Sequence, residues 1–427
     1  MQIQEQVTSK SRQALLHEKY KRVRSQSVNL CKPLKAEDYV VQPIVDVSPP
    51  KWHLGHTTWF FEALVLEQYS KSYKIFDADY GYMFNSYYES VGERVLRPNR
   101  GFMTRPTIED VMNYRGYVDE QMEAFFLTID DGQTRILDVL EIGLNHEQQH
   151  QELLITDVKY ILGHNPLFPA YKYEEQVISG HPLGKPGFLS VNEGTYEIGH
   201  SSDNFCYDNE LGRHTVYLHA FEIMDRLVTN EEYLEFIEAG GYQDFQWWYS
   251  EAWDWVKNND IKSPHYWHKI DGVWHMYALS GLRKVNPSEP VTHINQFEAD
   301  AFARWKGLRL PTEFEWEAAC NIHNPNIDSS SNFVEEENFG PVSRPNNNYQ
   351  FFGDCWEWTN SAYLPYPYFK TDEGALGEYN GKFMINQMVL KGGSCATPRN
   401  HIRPTYRNFF HPHLRWQFTG IRLARYI

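Results

Sequence analysis

The texture of the sequence changes once, and that change constrains the architecture more than any single motif. Up to about residue 165, apolar residues recur at helical spacing over long stretches; from Phe188 onward, Gly, Asn, Pro and Trp crowd short segments that sustain no period. A chain of 427 residues also exceeds the roughly 250–300 at which one hydrophobic core stops growing. Two domains are therefore expected, residues 1–165 and 188–427, with a linker over 166–187 where Pro, Gly, Tyr and charge follow no periodicity.

Four helices are expected in the first domain. One is amphipathic, around residues 10–30. A second opens at Ser48-Pro49, read as an N-cap followed by Pro at the first helical position, and continues through KWHLGHTTWFFEALVLEQY with Gly55 as its one breaker. A third starts at the capping-box spacing of Thr107 and Asp110 and carries Val111, Tyr114, Val118, Met122 and Phe125 on one face. The fourth runs from about Gln133 to Leu162 and stops at Gly163. A four-helix bundle is the economical arrangement. The second domain reads as an irregular α+β fold with long loops and two helices, near 229–239 and 296–306; the serines after Asp328 read as a mobile surface loop.

Composition removes whole classes of partner. Forty basic against 56 acidic residues give a net charge of −16, a field that repels nucleic acid and anionic lipid. Lys19 to Arg24 is one basic cluster and reads as a solvated helix face. No run approaches 18 consecutive apolar residues, and the N-terminus has no apolar core of the signal-peptide type, so a cytoplasmic protein is expected. Cys31, Cys206, Cys320, Cys355 and Cys395 are odd in number, far apart and without C-x-x-C spacing, which argues against a cysteine-ligated zinc. Aromatic residues make up 15% of the chain, enough to exclude disorder on a large scale.

The sharpest local signal is His146-Glu-Gln-Gln-His150. Residues four apart share a helix face, so two imidazoles can converge on one ion. The stripe Val139, Gly143, His146, His150, Leu153 is otherwise apolar or small and turns both rings into the bundle. The same residues match H-E-x-x-H, the zinc-protease pattern, in which Glu147 is the general base. No metzincin continuation follows, and Glu174 or Glu175 serves as a third ligand only if the linker folds back as a helix. A better third ligand comes from Trp52-His-Leu-Gly-His56, where His53 or His56 completes three-histidine coordination of iron(II), zinc or copper.

SPPKWHLGHTTWFFE, FNSYYESVGERVLRPNRG and NHEQQHQELLITDVK resemble the DinB-like iron domain of the ergothioneine-biosynthesis sulfoxide synthases. Gly194-Thr-Tyr-Glu-Ile-Gly, Gly307-Leu-Arg-Leu-Pro-Thr-Glu-Phe-Glu-Trp-Glu, Trp356-Glu-Trp-Thr, Lys391-Gly-Gly-Ser and Gly420-Ile-Arg-Leu-Ala resemble the formylglycine-generating-enzyme (sulfatase-modifying factor) domain, a C-type-lectin-like architecture. The resemblance covers essentially the whole chain. It implies an α + (α+β) protein that joins the imidazole carbon of hercynine (Nα-trimethylhistidine) to a thiol and oxidises the sulfur to a sulfoxide, with Fe(II) and O2. By the family pattern His56, His146 and His150 are the iron ligands, and His53 supports a ligand or packs beside it. Gln149 is implied to contact the hercynine imidazole and Asn408 its carboxylate or ammonium region; Phe409 and Phe410 suit the trimethylammonium as cation–π partners.

The departures bear on the sulfur substrate. Members that use γ-glutamylcysteine carry a Tyr three residues before the position of Tyr379, and an Asp and an Arg after that of Asn408; here those places hold Leu376, Phe410 and Leu414. Tyr379 is retained as a candidate contact. Tyr87 and Tyr88 are the expected replacement phenols, as in the second type of the family, which accepts free cysteine; Arg94, Arg97 and Arg100 could neutralise the cysteine carboxylate. Two alternatives stand beside this reading. An ovothiol-type 5-histidylcysteine sulfoxide synthase acts on histidine itself and usually carries an appended methyltransferase domain, which is not expected here. A formylglycine-generating oxidase needs a reactive cysteine pair near the C-terminus, where Arg403-Pro-Thr-Tyr-Arg-Asn has none.

Overall fold

The computed structural model describes residues 10–86, 88, 92–172, 184–344, 349–371 and 380–427. The chain divides into two compact units, Met1–Ile161 and Leu162–Ile427. Among the described residues, no helix is long and apolar enough to cross a membrane.

The first unit is helical. Helix α1 (Arg12–Cys31) is capped by the Ser11 hydroxyl, which accepts from the Ala14 N–H, and buries Leu16, Tyr20, Val23, Ser27 and Leu30 along one face. Arg24 is buried there too, so the Lys19 to Arg24 cluster is not a wholly solvated face. Helix α2 (Pro50–Phe61) buries all twelve of its residues, including Lys51, His53, His56, Thr57 and Thr58. A π-helical turn (Glu62–Leu66) and a last turn α3 (Glu67–Tyr69) extend it. Helix α4 (Ala78–Phe84) follows, capped by Asp77; α5 (Ile108–Phe126) opens on the expected Thr107–Asp110 box; α6 (Thr134–Gly163) runs for 30 residues.

Two local expectations are corrected. The N-cap of α2 is Pro49 and the first helical residue Pro50, so Ser48 caps nothing. Its hydroxyl accepts from Arg100 and its N–H donates to Asp157. The run through Leu66 is also not one regular helix, because the π-turn inserts a residue after Phe61 and sends the buried Glu62 carboxylate to the hydroxyls of Tyr73 and Tyr114.

The second unit is α+β. Strands β1 (Phe188–Val191), β4 (Phe221–Met224) and β12 (Ala424–Tyr426) form one sheet in the order β1-β4-β12. Strands β2 (Gly194–Ile198) and β3 (His214–Leu218) pair antiparallel, and β5 (Trp267–Ile270), β6 (Val273–Ala278) and β7 (Gly281–Lys284) form a meander. The fourth sheet runs β10-β9-β8-β11, from β8 (Trp356–Ala362), β9 (Met388–Lys391), β10 (Asn408–Phe410) and β11 (Thr419–Gly420). Helices α7 (Asn230–Glu238) and α9 (Gln296–Trp305) fall where expected. Two more were not expected: α8 (Ser250–Asn258) and α10 (Glu313–His323), the latter capped by a Thr312–Glu315 box inside the Gly307 motif. After Asp328, Ser329 and Ser330 form an exposed turn, and the chain then enters the core: Asn332 is fully buried and its amide donates to Asp354 at 2.7 Å.

The motifs of this unit meet as buried ion pairs. Glu357 of the Trp356 motif accepts from Arg422 of the Gly420 motif at 2.7 and 2.8 Å and from the Trp316 indole at 2.6 Å. Lys391 reaches Glu317 at 3.2 Å, and Arg407 grips Glu313 at 2.7 and 3.0 Å. A buried charge of this kind is tolerable only when it is paired and hydrogen-bonded.

Candidate metal centre

Helices α2 and α6 bring three imidazoles together. His56 comes from α2, His146 and His150 from successive turns of α6; all three are buried, and their nearest ligand atoms lie within 4.8 Å of one another. Close packing around α2 depends on glycine at two points, one against α6 and one against α4. A Cβ on Gly143 would stand 2.7 Å from the Phe60 ring, and one on Gly55 would stand 2.2 Å from the ring of Phe84. Because Gly55 admits Phe84, the Phe84 carbonyl reaches His56 Nδ1 at 2.6 Å. That carbonyl can only accept, so His56 carries its proton on Nδ1 and turns the Nε2 lone pair toward His146 Nε2, 3.2 Å away. Two nitrogens held this close in a dry core suit a shared cation.

Burial, followed by the neighbouring histidines, holds His56 and His150 well below the usual imidazole range; burial lowers His146 to about 3. All three are therefore neutral at physiological pH, the state in which imidazole ligates metal. Trp52 and Trp59 stack on His56 with ring centroids at 4.6 and 5.7 Å, and the Arg100 guanidinium lies 3.3 Å over Trp52. His53 is not one of the three. Its Nδ1 stands 2.9 Å from His150 Nδ1, and its Nε2 3.0 Å from the Asp157 carboxylate. Three neutral imidazoles are a donor set for iron, zinc, copper or nickel and leave positions open for small ligands.

Glu147 faces elsewhere. Its carboxylate accepts from Ser27 at 2.6 Å, Arg115 at 2.5 Å and Arg24 at 3.0 Å. Burial alone would raise this carboxyl, but Arg115 and Arg24 outweigh it and pull it down to about 2. With both oxygens occupied by cations, Glu147 cannot take a proton from a metal-bound water, and the protease reading of H-E-x-x-H loses its base.

Comparison with known proteins follows this division. The DinB superfamily matches residues 19–154, and the sulfatase-modifying factor enzyme 1-like domain matches residues 174–427. The hercynine oxygenase of Mycolicibacterium thermoresistibile is 31% identical over 310 residues, 66% of this chain and 67% of that protein. Hercynine oxygenase of Mycolicibacterium smegmatis is 32% identical over 313 residues, 66% of this chain and 70% of the relative. The chain belongs to the hercynine oxygenase family. Ergothioneine biosynthesis protein 1 of Schizosaccharomyces pombe, 24% identical over 56% of this chain and 29% of its own length, is a more distant relative.

The other residues that the hercynine oxygenase resemblance singles out fall in different places. Tyr88 is fully buried in the helical unit, its ring 5.5 Å from Trp59, and Asn85 pins its backbone by accepting from the Tyr88 N–H and donating to the Tyr88 carbonyl. Arg100 is buried and donates to Ser48 and Ser86; Arg94 is half-buried; Arg97 is exposed and donates to the Asp46 carbonyl. Gln149 is half-buried on α6, one residue before His150. Asn408, Phe409 and Phe410 form β10 of the second unit, where Phe409 stacks on Tyr363 at 4.1 Å and Phe410 lies 6.1 Å from Trp416. Tyr87, Glu174, Glu175, Leu376 and Tyr379 lie outside the described residues. Sequence reasoning missed Asp157 and the Phe84 carbonyl. Asp157 had a signal, since it stands seven residues after His150 and so on the same face of α6; a backbone carbonyl has none.

Proposed function

We propose that this member of the hercynine oxygenase family is an iron(II)- and O2-dependent sulfoxide synthase that joins hercynine to cysteine in ergothioneine biosynthesis, with γ-glutamylcysteine as the alternative thiol. One observation carries the reading: three buried, neutral imidazoles converge in a chain of this family. The reaction balances as hercynine C–H plus thiol S–H plus O2 giving a C–S(O) sulfoxide and water, one oxygen atom going to sulfur and one to water.

His56, His146 and His150 would hold the iron, within the domain read as residues 1–165, with the lectin-like domain from 188 shaping the substrate. Iron(II) held there supplies dioxygen activation and favours the thiolate form of the sulfur substrate. Tyr88, or Tyr87, supplies a proton from its phenol. Arg100 and Arg94 are the proposed counter-charges for the cysteine carboxylate, a role that the exposed, carbonyl-bound Arg97 fits less well. Gln149 is assigned to the hercynine imidazole, Asn408 to its carboxylate or ammonium region, and Phe409 and Phe410 to the trimethylammonium group, with Tyr379 a further substrate contact. Phe409 stacks on Tyr363 at 4.1 Å and on Phe383 at 5.8 Å, an aromatic cluster of the kind that suits a quaternary amine.

The formylglycine-generating alternative is disfavoured, because the Cys355 and Cys395 side chains are fully buried in the core, away from any substrate. Anaerobic loading with iron(II), followed by hercynine, cysteine and air, should yield a hercynyl-cysteine sulfoxide by mass spectrometry. Absence of that product with both cysteine and γ-glutamylcysteine sinks the proposal, and a preference for histidine over hercynine in direct competition turns it into an ovothiol-type synthase.

A further inference from the structure

We infer that Asp157 is a positioning residue that acts through His53 to fix the tautomer of His150, so that His150 presents its Nε2 lone pair to the metal. Asp157 and His53 are almost fully buried. The Asp157 carboxylate accepts from the Ser48 N–H at 2.8 Å and faces His53 Nε2 at 3.0 Å. The oxygen that faces His53 is the one that already accepts from Ser48, so His53 places a proton on Nε2. If that is the only proton on the ring, Nδ1 carries a lone pair, and the atom 2.9 Å from it is Nδ1 of His150. That contact is a hydrogen bond only if His150 donates, and a proton on His150 Nδ1 leaves Nε2 as its free donor atom.

The same logic governs the neighbouring ligand by a different route, since the Phe84 carbonyl fixes His56 through its Nδ1–H. A metal-bound histidine usually gives its second N–H to a carboxylate or carbonyl directly, which orients the ring and raises its basicity. Here the carboxylate stands one imidazole further away. His53 spans the gap because it lies on α2, three residues before His56, while Asp157 lies two helical turns beyond His150 on α6. The chain Asp157–His53–His150 thus ties the two helices that carry the centre to each other.

The inference rests on the proposed reading of His150 as a ligand, and the experiment separates the two. Nitrogen-15 histidine NMR of the metal-free, full-length chain should show His150 protonated on Nδ1 and His53 on Nε2. Asp157→Ala, which removes the acceptor, and His53→Phe, which keeps a ring without nitrogens, should abolish the single His150 tautomer. Both should weaken iron(II) binding by about 10–100-fold in anaerobic chelator competition, while Asp157→Asn, which retains an acceptor oxygen, recovers most of the loss. Circular dichroism of the metal-free variants reports whether the bundle still folds; should either variant unfold, the wild-type tautomers and Asp157→Asn decide the matter. A wild-type His150 protonated on Nε2, or iron(II) affinity unchanged in both disrupting variants, overturns the relay. Expected tautomers in a wild-type chain that takes up no iron(II) support the relay and overturn the metal reading instead.

Discussion

One residue separates His146 from Glu147, a rotation of about 100° around α6, and that rotation divides two environments. On one side the imidazole loses its proton to burial; on the other a carboxylate is kept ionised by Arg24 and Arg115. The five-letter pattern that names zinc proteases contains both residues, yet their chemistry is set by what α2 places opposite His146 and what α1 and α5 place opposite Glu147. Tyr88 illustrates the converse, a residue in an irregular segment whose position is nevertheless determined, by the amide of Asn85 and the face of Trp59. Under the proposed function the Tyr88 phenol is the general acid, a role typically worth ~10²–10⁴-fold. Tyr88→Phe should therefore lower sulfoxide formation by that order and divert turnover toward oxidation of the thiol, measured as the ratio of sulfoxide to disulfide at equal oxygen consumption. If Tyr88→Phe and Tyr87→Phe both leave this ratio unchanged, the phenol has no part in the reaction.

At the scale of elements, the centre is a product of how closely α2 can approach its neighbours. Trp52, His53 and His56 all lie on a helix with no exposed face, and Gly55 is the gap that lets Phe84 in from α4. Gly55→Ala places a methyl 2.2 Å from the Phe84 ring, so either the ring or the α4 terminus must move. The expected cost is about 1–3 kcal/mol in urea denaturation, as for other overpacked cores, together with weaker metal binding as His56 loses the Phe84 carbonyl. A variant as stable as the parent, with unaltered metal affinity, would show that α4 does not position His56. Much of this element structure was legible beforehand: the Thr107 box, the long run to Gly163 and the histidine face all follow from spacing. The start of α2 was misread because Ser48 is a good cap residue by type, whereas its hydroxyl and N–H serve Arg100 and Asp157. Helix α10 was missed although Thr312 and Glu315 have capping-box spacing, because the helix is short and flanked by the Gly- and Pro-rich texture that otherwise marks loops.

Across the whole molecule, the two units use buried charge differently. In the helical unit Arg24, Arg115 and Glu147 brace the helices that surround the histidines. In the second unit, where strands are short and loops long, the recurring motifs supply the frame itself: Glu357 lies 65 residues before Arg422, and the pair also binds the Trp316 indole and the Met224 carbonyl. Sequence resemblance identified those motifs, but which partners they join depends on topology that spacing alone does not give. Both charges are fully buried, so removing one strands the other in the core. Arg422→Met and Glu357→Leu should each cost about 3–5 kcal/mol, and the double variant far less than their sum, because an apolar pair leaves no unpaired charge behind. The measurement is a double-mutant cycle in urea on the full chain. Additive costs, within ~0.5 kcal/mol, would mean that each residue acts through its other contacts and that the pair is incidental. A large coupling would make the ion pairs, rather than the short strands, the reason this loop-rich unit holds one conformation.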